Sequence, residues 1–167
     1  MSPLVSFFVY GQALGALAGA FAAVWSELSF IRAMRDGKLD AAERAHLRVI
    51  GNGLRFGMSL LLLSSLGLVV EAYLLQTPLQ PALTASYWTF IALALLIIVL
   101  SWALARRRLS FSIGTAALFT AWWFLVYLTF GWLPILSFGT AVALYVVLTG
   151  IFYAVFHYAR LLSLRKK

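Results

Sequence analysis

Apolar residues in this chain run in long blocks instead of alternating along strands. Five blocks reach the roughly 20 residues a helix needs to cross bilayer hydrocarbon. They cover about 4–31, 54–76, 87–105, 111–133 and 135–158. Thr77-Pro78-Leu79-Gln80-Pro81 parts the second from the third, and its two prolines cannot continue a helix. Trp132-Leu133-Pro134 makes a tighter break between the fourth and fifth. A transmembrane barrel needs a period-two alternation that is absent, and lone strands cannot span lipid with unpaired backbone groups. The pattern predicts an all-α fold, a single polytopic membrane domain of five transmembrane helices.

Composition narrows the function classes. Of 167 residues, 63% are hydrophobic and 11% charged, against roughly 45–50% and about 25% in ordinary soluble domains, and the mean hydropathy is +0.96. A soluble enzyme, a disordered tail and a coiled coil are excluded. Cysteine is absent, which removes disulfides, thiolate metal sites and cysteine nucleophiles. The net charge of +8 would suggest nucleic acid in a soluble chain. Here no nucleic-acid partner is expected, because the charge reads as a topology signal.

Arg32, Arg35, Lys38, Arg44, Arg48 and Arg55 fall between spans one and two, and Arg106, Arg107 and Arg108 between three and four. Arg160, Arg165, Lys166 and Lys167 follow span five, which completes the 13 basic residues. All belong to one side, which the positive-inside rule makes cytoplasmic. The expectation is a multi-pass protein of the cytoplasmic membrane with its N-terminus outside and C-terminus inside. The first block lacks a basic n-region and is too long for a secretory signal, so it reads as a retained helix.

Residues 32–53 predict a cytoplasmic helical hairpin. Gly37 suits the left-handed position after a helix end, with Leu39 as its apolar contact. Asp40 and Glu43 have capping-box spacing, and Gly51-Asn52-Gly53 is expected to kink or break the returning helix before span two. Such a hairpin brings Glu27 toward Arg48. Its basic surface reads either as a solvated turn facing anionic lipid or as a docking surface for a partner subunit.

These features resemble a family of small bacterial integral membrane proteins without an assigned activity. The resemblance lies in the helix carrying Gly15, Gly19 and Ser26-Glu27, the turn Asp36-Gly37-Lys38, the acid-led helix and the Ser65-Leu66-Gly67-Leu68 run. Thr120-Ala121-Trp122-Trp123 in span four adds to it. It covers about the first 70 residues plus span four, and it implies fold and membrane location but no site.

Gly11, Gly15 and Gly19, followed by Ala22 and Ser26, form two overlapping GxxxG motifs, which let helix backbones approach closely in lipid. Gly53, Gly57, Ser64 and Gly67 give span two a comparable face. The two faces are expected to meet within the chain; the other reading is a seam for a homo-oligomer or a larger membrane complex. Tyr73, Tyr87, Trp88 and Trp132 suit an outer aromatic belt, and Trp25, Trp102 and Tyr158 an inner one. Trp122 and Trp123 fall mid-span instead. They are either packing and lipid contacts or the wall of a pocket for a flat apolar ligand such as a quinone, sterol-like lipid or pigment.

Three of the five acids belong to the hairpin, which leaves Glu27 and Glu71. Glu71 shares a helix face with Gly67 and Ser64 and so points toward protein. It reads either as a carboxylate reaching external headgroup water or as a proton- or cation-binding group. Glu27, taken to lie close to the direction of Gly15 and Gly19, is expected to pair with Arg48 or Arg55; the alternative is a station on a proton path. His46 and His157 lie on one side, so a two-histidine haem site is topologically allowed, but the spacing carries no metal motif. Hydrolase, zincin, P-loop and dinucleotide fingerprints are missing.

The sequence therefore favours a non-enzymatic accessory or scaffold subunit that packs through its glycine face and possesses an optional lipid or apolar-cofactor pocket. The alternatives are a small proton or cation transporter using Glu71, and a haem-binding redox subunit. The first reading predicts that Gly15→Leu breaks assembly while Glu71→Gln leaves it intact.

Overall fold

The computed structural model describes residues 3–34, 44, 48–76, 84–131 and 137–165. Five helices among them are long and apolar enough to cross a membrane: α1 (Pro3–Met34), α2 (Arg48–Leu74), α3 (Ala85–Ala105), α4 (Phe111–Thr129) and α5 (Phe138–Arg165). The protein is an all-α membrane helical bundle. The hairpin signals at Gly37, Asp40 and Glu43, and the residues Trp132 and Pro134, lie outside the described residues.

Helix α2 differs from expectation at its start. It is helical from Arg48, passes through Gly51-Asn52-Gly53 without a break, and widens into a π turn over Leu54–Met58 before Ser59–Leu74. Gly53 sits so close to Ala22 of α1 that a Cβ there would collide with the alanine methyl. Tertiary contact holds the backbone helical where glycine propensity alone disfavours it.

Among the described residues, three helix ends are closed by a left-handed residue. Gln76 (φ 47°), Arg107 (φ 54°) and Gly131 (φ 66°) follow α2, α3 and α4. Each amide turns back onto the last helical turn: Gln76 to the Tyr73 carbonyl, Arg107 to Leu104 and Gly131 to Leu128, at 3.0–3.1 Å. These bonds satisfy carbonyls that the helix leaves open. At its other end α3 is capped by Thr84, whose hydroxyl accepts from the Tyr87 amide at 3.3 Å.

Helix α4 is the hub, packing against α1, α3 and α5, while α2 packs on α1. Its sequence explains this. Gly114, Thr115, Ala116, Ala117, Thr120 and Ala121 are all buried and spread small side chains around the helix, so three neighbours approach at once. In lipid that close packing, and not the expulsion of water, drives helix association. Helix α5 is the opposite case. Only 6% of its most apolar stretch is buried, against 61% for α4.

Candidate functional site

The antiparallel order of the helices gathers Arg32, Arg48, Arg55, Arg106–Arg108 and Arg160 at one end of the bundle. All but Arg160 are exposed there. Arg160, counted by sequence with the basic tail after span five, is 7% exposed because α5 remains helical to Arg165 and turns this side chain inward. One terminal nitrogen of its guanidinium donates to both carboxylate oxygens of Glu27, at 3.0 and 2.9 Å, and to the Thr115 hydroxyl at 3.0 Å. The other donates to the Ser112 hydroxyl at 3.3 Å. Phe30 and Phe111 close the site, their ring centroids 4.6 and 5.5 Å from the guanidinium carbon.

The expected Glu27 partner was Arg48 or Arg55, and the structure replaces both with Arg160. The difference lies in the face of α1 that Glu27 occupies. At 100° per residue, Glu27 lies about 80° around α1 from Gly19 and about 120° from Gly15. The glycine stripe faces α2, so Glu27 turns past it toward α4 and α5. An aromatic-walled Arg–carboxylate pair with hydroxyl support satisfies both charges away from water, and guanidinium suits this better than an ammonium would. It also ties three helices together, since Glu27, Thr115 and Arg160 come from α1, α4 and α5.

The glycine stripe is filled from within the chain. A Cβ on Gly15 would lie 2.7 Å from the Leu61 amide nitrogen and 2.8 Å from the Gly57 carbonyl oxygen. Gly11 abuts Ser64, Gly67 abuts the Phe8 ring, and Gly19 receives the Trp122 ring. Ser26 is fully buried and donates to the Ala23 carbonyl at 2.7 Å.

The mid-span tryptophans separate. Trp122 is 1% exposed and fills the space over Gly19, so it belongs to the core. Trp123 lines a groove of about 330 Å³ between α4 and α5, with Phe119, Thr120, Tyr127, Leu148 and Phe152. Phe119 packs against Phe152 and Phe156 with centroids 4.8 and 5.0 Å apart. A second hollow of about 200 Å³ reaches α3 through Leu93 and Leu96. The Tyr145 hydroxyl ties α5 to α4 by donating to the Ala117 carbonyl at 3.0 Å.

Glu71 is 7% exposed. The α1–α2 register that pairs Gly11 with Ser64 and Phe8 with Gly67 places it opposite the first turn of α1, where the helix dipole favours a carboxylate. Glu27 and Glu71 lie toward opposite ends of the bundle, and the buried ion pair, not a carboxylate chain, organises the basic end. His157 is exposed and stacks on Tyr153 with centroids 6.0 Å apart, whereas His46 lies outside the described residues. No group of three potential metal ligands occurs among the described residues.

Sequence reasoning missed Arg160. The available signals were its separation from Arg165-Lys166-Lys167 and the hydroxyl pair Ser112 and Thr115 at the start of α4, one helical turn apart. Comparison with protein-family models, curated proteins and solved structures gives no match.

Proposed function

We propose that this chain is an accessory subunit of the cytoplasmic membrane, with its N-terminus outside and its basic end in the cytoplasm. The observation that carries this reading is the contrast between a glycine stripe already occupied within the chain and an α5 helix left almost bare. A partner subunit or surrounding lipid covers α5. The aromatic groove beside it, at about 330 Å³, falls at the lower end of ligand-pocket sizes and suits a flat apolar molecule such as a quinone or lipid. In this role the chain acts by shape and position.

Native mass spectrometry of the protein gently extracted from its own membrane tests the proposal. Complexes containing other polypeptides support it, whereas a chain recovered alone overturns it. A closed homo-oligomer without other protein instead favours transport through Glu71. The burial of that carboxylate is the observation behind the transport reading, and liposome flux unchanged by Glu71→Gln would remove it.

A further inference from the structure

The turn leaving α3 gathers three adjacent arginines, and its geometry arranges them. Arg106 caps the helix, Arg107 takes the left-handed conformation, and the Arg108 amide reaches back to the Ala103 carbonyl at 2.9 Å. This reversal folds Arg108 over the last helical turn. The guanidinium carbons of Arg106 and Arg108 consequently lie 4.7 and 5.0 Å from the centroid of a single ring, that of Trp102. A guanidinium laid against an indole is held by its face and keeps its N–H edge available.

Two like charges are thus concentrated on one aromatic surface, with a third arginine between them in sequence. A non-glycine residue in the left-handed region is also a local strain that a glycine would relieve. Arg32 stands over Trp25 at the same end of the bundle, 5.7 Å from its centroid, but there, among the described residues, one charge meets one ring. Trp102 is 46% exposed at the end of an apolar helix, the level at which indoles meet lipid headgroups.

We infer that the Arg106–Arg108 turn, with Trp102 as its platform, is a binding site for the headgroup of an anionic phospholipid. Fork-shaped guanidiniums match the phosphate oxygens. Two guanidiniums held on one ring select a net-negative headgroup over a zwitterionic one.

The test is lipid retention by the full chain in native mass spectrometry, with phosphatidylglycerol or phosphatidylcholine added at equal concentration. Wild type should retain phosphatidylglycerol at least tenfold in preference. The double variant Arg106→Gln/Arg108→Gln, which leaves the helix end intact, should lose that preference at an unchanged unfolding temperature. Arg55→Gln, an exposed arginine elsewhere at the same end, should keep it. Equal retention of both lipids by wild type, full preference in the double variant, or equal loss in Arg55→Gln would each overturn the assignment. Displacement by millimolar inorganic phosphate would also overturn it, because the ligand would then be free phosphate.

Discussion

Between α1 and α2 backbone meets backbone, Gly15 against Gly57. Between α4 and α5 ring meets ring, Phe119 against Phe152 and Phe156. At Gly15 and Gly57 the first seam has no space for one additional carbon. The second leaves a groove of about 330 Å³ open along its side. Both join antiparallel helices in a setting where lipid offers apolar side chains the same contacts that protein does. A seam of small residues therefore specifies one register and tolerates little, whereas an aromatic seam tolerates change and leaves room for an occupant.

The contrast breaks most sharply at Gly15. Replacing it with Leu should force α1 and α2 apart and cost about 3 kcal/mol or more, read as loss of cooperative thermal unfolding in detergent. This changes what the substitution can test, because failure of assembly would follow from failure of the fold. Next in size is the ion pair that ties α5 to α1. Arg160→Met should cost about 3–5 kcal/mol by removing the cation that balances the buried Glu27 carboxylate, while Glu27→Leu/Arg160→Met should recover most of the loss. A double variant no more stable than the single would contradict that anchoring.

Phe152→Ala should cost about 1–2 kcal/mol, less than the roughly 3–5 of an enclosed phenylalanine, since lipid can refill an open groove. The same variant should reduce any apolar molecule co-extracted with the protein, measured by mass spectrometry of the organic extract. The smallest effect is a gain. Arg107→Gly should stabilise the α3 end by about 0.5–1 kcal/mol by relieving its left-handed backbone, seen as a small rise in unfolding temperature.

The five helices were legible because bilayer thickness sets a length that composition reveals directly, and the meeting of the Gly15 and Gly57 faces followed from small residues at spacing four. The ion pair was not legible. Choosing between Arg48 and Arg160 depends on which side of α1 Glu27 faces, and an angular error of about 100° exchanges one neighbouring helix for another. Arg160 was further disguised because no glycine or proline separates Tyr158 from Lys167, so the end of α5 carries no mark. Trp122 and Trp123 look identical as a pair, yet one residue's rotation places one over Gly19 and the other in a groove. That distinction required knowing that α4 is the hub, which its small residues on every side could have suggested.

The most direct test of where the glycine stripe packs uses the absence of native cysteine. A Cβ at position 11 lies 3.5 Å from the Ser64 Cβ, within the range for a disulfide. In native membranes Gly11→Cys/Ser64→Cys should oxidise to a cross-linked monomer that migrates as a single chain. Disulfide-linked dimers in its place would put the stripe between subunits and contradict its occupation from within.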